Sequence, residues 1–240
     1  MSMNHIVRSY DAELKYLQAR ITEMGSHAEK MIERSVESIV CSDLQLATTV
    51  ISDDLFLDAV ERDIDEKAVT IICKRQPMAV DLREIIGAIR ISSDLERIGD
   101  MAKNIAKRTI AISETRQPAT FYHGLEKITA LALNQLKEVL SAYTSRVLER
   151  VDAVRERDGK IDTLYTSLFC ELLTYMMDDT HNITVCTHLL FCLKNIERIG
   201  DHVTNIAEML HYIITGYHMS SDRPRDDLTY KVGIGEKKIH

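Results

Sequence analysis

The sequence predicts an all-α protein made of two tandem three-helix bundles, with six long helices in all. Three observations support this prediction. Glycine occurs 9 times and proline 3 times in 240 residues, less than half of their usual combined share, so the chain has few places to turn. Apolar residues make up 45% and charged residues 28% of the chain, which is typical of long amphipathic helices. Finally, the second half of the chain repeats the first.

The first half contains three predicted helices, of which the first has the clearest periodicity. Between Tyr10 and about Cys41, apolar residues recur in alternating steps of three and four, which indicates a coiled-coil-like seam. The seam residues are Leu14, Leu17, Ile21, Met24, Ala28 and Met31. A second helix ends at Pro77, because proline cannot continue a helix. The third helix is predicted from about Asp81 to Ile112.

A linker divides the chain into two predicted units. Residues 113–120 contain Pro118 and break the apolar rhythm, so the first bundle is predicted over residues 1–112 and the second over residues 121–217. The helices of the second bundle are expected at residues 125–150, 151–176 and 184–214. Residues 218–240 are polar and show no sustained apolar period, which predicts a mobile tail.

The two predicted bundles share a motif in their last helices. Residues 96–100 read Glu-Arg-Ile-Gly-Asp, and residues 104–106 read Asn-Ile-Ala. The same pattern returns 101 residues later, with eight of eleven positions identical. Such a repeat indicates two copies of one structural unit. The glycines of the motif, Gly99 and Gly200, stand in mid-helix, where they indicate a close approach between backbones.

Four pairs of acidic residues, whose members are four positions apart in the sequence, occupy matching places in the two copies. They are Glu61/Asp65 and Glu96/Asp100 in the first copy and Asp158/Asp162 and Glu197/Asp201 in the second. Residues at this spacing lie on one face of a helix. The middle-helix pairs are 97 residues apart, and their distances from the inter-helix turns predict that Asp65 faces Glu96 and that Asp162 faces Glu197. Each bundle is therefore expected to bring four carboxylates together.

The residues alone leave two interpretations of these carboxylates open. As ligands they offer oxygen donors, with the amides of Asn104 and Asn205 as further candidates, and such ligands suit hard cations such as Mg²⁺, Mn²⁺, Ca²⁺ or oxidised iron. The other interpretation is a charged surface neutralised by arginines such as Arg97 and Arg198. Neither half contains Glu-x-x-His, which argues against an oxygen-activating di-iron centre.

Charge and cysteine content narrow the possible functions. The 30 basic and 37 acidic residues give a net charge of −7, which argues against general nucleic-acid binding. Five cysteines without a Cys-x-x-Cys motif are expected to be reduced thiols, mostly in the core, which indicates a cytoplasmic location. No run approaches the ~18 apolar residues of a membrane span, so any membrane contact is expected to be peripheral. His202 is matched by Met101 in the first copy and is expected to be exposed or packed rather than a ligand shared by both copies.

Several motifs together resemble the PhoU family over about residues 8–217. These are the two Glu-Arg-Ile-Gly-Asp blocks, residues 74–77 (Lys-Arg-Gln-Pro) and residues 173–177 (Leu-Thr-Tyr-Met-Met). The resemblance implies two three-helix bundles, a homodimer, and carboxylates of a Glu/Asp-x-x-x-Asp motif that bind metal ions such as Mg, Mn, Fe or Zn. Carried over to this sequence, the implied metal ligands are Glu61, Asp65, Glu96, Asp100, Asp158, Asp162, Glu197 and Asp201.

The resemblance also implies a role in phosphate signalling. Members of the family act with the phosphate-specific ABC transporter and its partner sensor histidine kinase, and they keep the phosphate-starvation response off when phosphate is plentiful. The implied protein is a cytoplasmic adaptor that contacts the transporter ATPase and the kinase, and it is not an enzyme. The alternative from another class is a carboxylate-bridged metal-dependent enzyme or a metal-storage bundle, which would show turnover or oxygen consumption when loaded with iron.

Overall fold

A computed structural model describes residues 3–114 and 120–219, and within these two ranges the chain forms seven α-helices and no strand. The helices are α1 (Met3–Val40), α2 (Leu44–Arg75), α3 (Val80–Ile112), α4 (Thr120–Ser145), α5 (Leu148–Glu156), α6 (Asp158–Asp178) and α7 (Ile183–Thr215). A 3-10 turn, Thr180–Asn182, joins α6 to α7. The all-α prediction is confirmed. The predicted tail from residue 220 onwards and residues 115–119 of the predicted linker lie outside the described residues.

The helices form two three-helix units that pack side by side. In the first unit α1, α2 and α3 contact one another, and in the second α4, the α5–α6 pair and α7 do the same. The units meet where α3 packs on α7 and α1 packs on α4. Gly87 near the start of α3 lies against Ile213 near the end of α7, and Arg108 near the end of α3 lies over the ring of Phe191 near the start of α7. The central helices α3 and α7 are therefore antiparallel.

One apolar core runs through both units and holds the helices together. The predicted seam of α1 supplies part of it: Leu17, Ile21, Met24, Ala28 and Met31 are buried, and Leu14 packs against the core from its edge. Ile64 of α2 and Ile98 of α3 are completely buried in the same core. Burial of each such side chain contributes about 1.5–3 kcal/mol to folding. The 3.6-residue apolar period therefore predicted the core-facing sides of these helices correctly.

Local sequence explains where α2 begins and ends. The Asp43 side chain accepts a hydrogen bond from the Leu46 backbone N–H at 2.9 Å, which satisfies one of the free donors at the helix start. Lys74 and Arg75 occupy the last turn, where positive charge is favoured by the helix dipole. Gln76 then adopts a left-handed conformation with φ of 50°, which closes the helix just before Pro77.

The second unit departs from the prediction in two places. The expected fourth helix ends at Ser145 rather than Arg150, because Arg146 is left-handed, with φ of 56°. The expected fifth helix is interrupted at Arg157 and forms two helices, α5 and α6. The interruption lies next to Asp158 and Gly159, which are both poor helix formers. The second unit is thus a three-helix bundle with one broken helix.

The cysteines occupy more varied places than the sequence suggested. All five are free thiols. Cys186 and Cys192 are buried, but Cys41 and Cys73 are exposed, so the prediction that most of the cysteines belong to the core is wrong. Among the helices that the structure describes, none has both the length and the apolar character needed to cross a membrane.

The left-handed Arg146 gives a stability prediction. Its side chain pairs with Glu84 at 2.6 Å and lies over the ring of Tyr143 at 4.6 Å. Arg146→Gly and Arg146→Ala both remove these contacts, but only glycine adopts a positive φ without steric cost. We expect the glycine variant to be more stable than the alanine variant by about 1 kcal/mol in urea unfolding. An alanine variant of equal or higher stability would contradict this.

Candidate functional site

The α2–α3 contact brings the acidic residues of the first unit together. Three successive contacts define the register of the two antiparallel helices. Lys103 of α3 binds Asp54 of α2. One turn further, Gly99 lies against Leu57, since a Cβ on this glycine would stand 2.2 Å from Leu57 Cδ1. Beyond that, the Ser93 hydroxyl donates a hydrogen bond to Glu61. The close approach at Gly99 is thus made by the Leu57 side chain and not, as predicted, by a second backbone.

Glu96 sits in the middle of this contact and is the most perturbed carboxylate of the molecule's first unit. Burial, followed by the nearby charge of Asp100, raises the pKa of Glu96 to about 7, and Glu61 and Asp58 act in the same direction. Arg97 opposes this shift, with its Nε 3.4 Å from Glu96 Oε2. That oxygen is buried and accepts no hydrogen bond from any described residue. Glu96 is therefore a buried oxygen donor held among other acids.

Glu61 lies across the helix contact from Glu96 and shares its environment. Burial, then the charge of Asp65, raises the pKa of Glu61, while the Ser93 hydroxyl and Arg97 act against the rise. Asp65 itself is exposed. The acids of α2 that raise the pKa of Glu96 are thus Glu61 and Asp58. The prediction that Asp65 faces Glu96 is wrong by one helical turn, because the contacts set Glu61 level with Glu96.

At the Asp100 end of the α2–α3 contact, a lysine and an arginine offset the negative charge. Lys103 Nζ lies 2.6 Å from Asp100 Oδ1 and also binds Asp54. Arg97 Nη1 lies 3.2 Å from Asp100 Oδ2. Burial alone would raise the pKa of Asp100, but the hydrogen bond from Lys103 and the charges of Lys103 and Arg97 outweigh it and lower this pKa. Asp100 is therefore ionised and paired, whereas Glu96 resists ionisation.

The second unit has a similar but smaller group of charges between α6 and α7. Glu197 is buried, and burial raises its pKa, as do the charges of Asp201 and Asp162. Lys194 opposes the rise, with its Nζ 2.8 Å from Glu197 Oε2. The prediction that Asp162 faces Glu197 is thus confirmed. Asp158 lies at the first position of α6, and its side chain is outside the described part of the structure.

The contacts also show which residues of the two units occupy equivalent positions, and these differ from the predicted ones. Asp162 stands opposite Glu197 as Glu61 stands opposite Glu96, so the middle helices are related by 101 residues, like the motif helices, and not by 97. On this correspondence Asp158 takes the place of Leu57, and Asp65 is matched by Thr166. The four-residue difference equals about one helical turn, which keeps the same face of the helix.

Sequence reasoning missed several charged residues of both sites. Asp54 and Asp58 extend the acidic face of α2, and Asp54 is only 5% exposed. Lys103 and Lys194 supply the nearest ammonium groups. A spacing signal was available, because Asp54, Asp58 and Glu61 follow one another in steps of four and three. No repeat revealed them, because the second copy has Arg155 and Gly159 at the first two of these positions.

His202 and Asn205 act at the contact between the units. His202 Nδ1 lies 2.8 Å from Asp94 Oδ1, and Asn205 Nδ2 donates to the same oxygen at 3.4 Å. Both side chains belong to α7, and Asp94 belongs to α3. The expectation that His202 is packed rather than a ligand shared by both copies agrees with this contact. The Asn205 amide, considered as a metal ligand from the sequence, points to α3.

The first unit offers carboxylate oxygens, which are suitable donors for a hard cation, but its side chains do not form a ready coordination site. Within residues 3–114 and 120–219, no three His, Cys, Asp or Glu side chains converge closely enough to hold a metal ion. The buried Oε2 of Glu96 nevertheless lacks a hydrogen bond from the described residues, and Glu61, Asp58 and Asp100 surround it with negative charge. Carboxylate oxygens are the donors that Mg²⁺, Mn²⁺ and Ca²⁺ prefer.

The raised pKa of Glu96 predicts how stability depends on pH. The folded protein holds the Glu96 proton to a pKa of about 7, above the ordinary value of 4.5, so ionisation of Glu96 destabilises the fold as the pH rises from 4.5 to 7. Glu96→Gln keeps the neutral form at every pH. We expect this variant to gain on the order of 2 kcal/mol over the wild type at pH 8, and nothing at pH 4, in urea unfolding with EDTA present.

Glu66→Gln is the matched control, because Glu66 is an exposed glutamate on the same helix pair. It should change the free energy of unfolding little at either pH. A Glu96→Gln variant whose stability follows that of the wild type from pH 4 to pH 8 would show that Glu96 ionises normally.

The chain matches one family of known proteins. A family profile described as the PhoU domain matches the chain twice, at residues 21–109 and 125–210. A protein of Rhizobium meliloti (strain 1021), named phosphate-specific transport system accessory protein PhoU homolog, is 59% identical over 233 residues, which cover 97% of this chain and 98% of that protein. A protein of the same name from Caulobacter vibrioides is 46% identical over 224 residues, covering 93% and 97% of the two chains.

Solved structures agree with the sequence comparison. The crystal structure of PhoU from Pseudomonas aeruginosa superimposes with a TM-score of 0.83 at 34% identity, covering 87% of this chain and all of that one. The phosphate transport system regulatory protein PhoU from Streptococcus pneumoniae gives a TM-score of 0.81 at 25% identity, covering 88% and 99% of the two chains. With two matches to the PhoU domain and relatives that align along nearly its whole length, this chain belongs to the PhoU family.

Proposed function

We propose that this protein is an accessory regulator of phosphate-specific transport, which restrains phosphate uptake and the phosphate-starvation response when phosphate is plentiful. One observation carries the proposal. The chain is 59% identical, over 97% of its length, to a relative whose name states that it is an accessory protein of the phosphate-specific transport system. At this identity and coverage, the two proteins are expected to share their partners as well as their fold.

The protein would act as an adaptor and not as an enzyme. The names of the relatives specify accessory and regulatory proteins of phosphate transport. We assign it to the cytoplasm, as a homodimer whose partners are the ATPase of the phosphate ABC transporter and a phosphate-sensing histidine kinase. In this mechanism the adaptor binds preferentially to the kinase state that does not phosphorylate its response regulator, and so increases the population of that state.

Hard cations would complete the carboxylate faces through which the adaptor docks. In the first unit the ligands would be Glu61, Glu96 and Asp100, with Asp65 at the exposed edge. In the second they would be Asp162, Glu197 and Asp201, joined by Asp158. A bound divalent cation would supply positive charge that offsets the repulsion among these carboxylates and would attract an acidic partner. The chain's own part is to hold oxygen donors on two adjacent helices with Arg97 and Lys103 beside them.

Cation binding has a direct test in the isolated protein. Because a ligand that binds only the folded state stabilises it, millimolar Mg²⁺ or Mn²⁺ should raise the Tm of the metal-free protein by a few °C. The variant Glu96→Gln/Asp100→Asn/Glu197→Gln/Asp201→Asn should show no such rise, while Glu66→Gln should respond as the wild type does. Equal responses of the fourfold variant and the wild type would exclude these carboxylates as ligands.

The regulatory role has its own test in cells. In high phosphate, a strain that lacks this gene should express alkaline phosphatase, and the wild-type gene should restore repression. We expect the folded fourfold carboxylate variant to fail and Glu66→Gln to succeed, because docking depends on the cation-bound faces. Normal repression in the strain without the gene would refute the regulatory role. Full repression by the fourfold variant would refute docking through these faces but leave the regulatory role intact.

A further inference from the structure

A cleft of about 380 Å³ lies where the two units meet, near the start of α3. Helices α1 and α3 of the first unit line it together with residues at the end of α4, which belongs to the second unit. Leu14, Leu17 and Ala88 form part of its apolar lining. Sites for small molecules are clefts of about 300–1,000 Å³ that combine an apolar lining with a few polar groups. The cleft has the size and the character of such a site.

Charged side chains from both units also line the cleft, namely Lys15, Asp81, Glu84 and Arg146. Arg146 Nη2 donates to Glu84 Oε2 at 2.6 Å, and the guanidinium lies over the Tyr143 ring at 4.6 Å. The buried Nη1 of Arg146 has no hydrogen-bond acceptor among the described residues. Lys15 is exposed and forms no ion pair within the described part of the chain. Both cationic groups therefore have donors available for an anion.

Arg146 keeps its place in the cleft at an energetic cost. Its backbone has φ of 56°, a left-handed conformation that is unfavourable for any residue with a side chain. Strained residues of this kind are concentrated at functional sites, ligand clamps among them. The contacts with Glu84 and Tyr143 hold the guanidinium in position before any ligand arrives, so binding would cost little additional ordering of this side chain.

The packing of the helices does not require an open, charged cleft at this place. The positions 101 residues after Glu84 and Ala88 are Val185 and Leu189. Both of these residues are buried in the apolar core. The second unit therefore places larger or apolar side chains where the first unit has an acid and a small residue. The charged lining is a particular feature of the first unit and its contact with α4.

We propose that this cleft is an effector site for a small hydroxylated organic anion, such as a sugar phosphate or a sugar acid. Its anionic group accepts hydrogen bonds from Lys15 and Arg146, as oxyanions do from ammonium and guanidinium groups. Its hydroxyl groups donate to Asp81 and Glu84, which would repel an anion that carried no donors. The carbon skeleton lies against the apolar lining.

Such a ligand would act on both units at once. The residues that hold it come from α1 and α3 on one side and from the end of α4 on the other. A ligand that bridges the units favours the arrangement of units to which it binds best. The inference depends neither on cation binding by the carboxylates nor on docking through them.

Isothermal titration calorimetry of the full chain tests the site, with EDTA present to exclude binding through a metal ion. The probes are glucose 6-phosphate, glucuronate, glucose and inorganic phosphate. The wild type should bind at least one of the two sugar anions more tightly than it binds glucose or inorganic phosphate, because each of the latter lacks one half of the ligand. The preferred sugar anion shows whether the site selects a phosphate or a carboxylate.

Two variants locate the bound ligand. Lys15→Gln and Arg146→Gly should each weaken binding about tenfold, because each removes a hydrogen bond from a charged donor. Glycine also accepts the positive φ of residue 146 without strain. Lys30→Gln is the matched control, because Lys30 is likewise exposed on α1 but lies about 22 Å further along the helix. It should bind as the wild type does.

Weaker binding by either variant, beside normal binding by Lys30→Gln, would place the ligand in the cleft. The inference would be overturned if neither sugar anion bound, if glucose bound as tightly as they do, or if both variants kept the affinity of the wild type. None of these results would bear on repression in cells, so the proposed regulatory role is judged separately. Should Arg146→Gly not fold, the exposed Lys15 decides through Lys15→Gln alone.

Discussion

Repulsion between carboxylates across the α2–α3 contact is the constraint on which much of this structure depends. Two helices that share an apolar core through Leu57 and Ile98 also press acidic residues against each other along one edge. Three features of the structure reduce this repulsion. Glu96 keeps its proton up to a pKa of about 7, Lys103 places an ammonium between two acids, and Arg97 lies along the outside. Apolar burial supplies the free energy that holds the charges in place.

In the proposed function, the same constraint links stability to cation binding. Acids that are costly to pack together would recruit a cation, and its positive charge would offset their repulsion. The cation would then stabilise the folded protein and change the charge of the surface that binds it. An adaptor with such a surface would present a different charge to its partners with and without the ion. The apolar core behind it remains the same.

The sequence predicted the helices and the acidic motif well, because both depend on local periodicity. The seam from Leu17 to Met31 and the repeated Glu-Arg-Ile-Gly-Asp block needed no knowledge of long-range contacts. The register of α2 against α3 was missed by one turn for a physical reason. Acids recur every three or four residues along α2, so sliding the helix by one turn replaces one acid on the contact face by another. Only side-chain contacts such as Gly99 against Leu57 distinguish the two arrangements.

Other features were hidden because the two copies have diverged at them. Lys103 and Asp54 have no counterparts of the same charge, so a search for matching positions passes over them. The break between α5 and α6 likewise has no parallel in α2, which is continuous. These features depend on residues that occur in one copy only. Comparison of the two copies identifies only residues that both copies share.

The contact between His202 and Asp94 shows what an internal duplication permits. In a symmetric dimer of identical chains, each residue at the interface is presented twice, and a new pair on one side appears again on the other. Here the two halves are joined in one chain, and the positions related to His202 and Asp94 by 101 residues are Met101 and Asn195. A charged or polar pair at one side of the α3–α7 seam is therefore free to change independently of the other side. The two halves therefore pack like the subunits of a symmetric dimer, but each half can acquire its own contact residues, as the subunits of a heterodimer can.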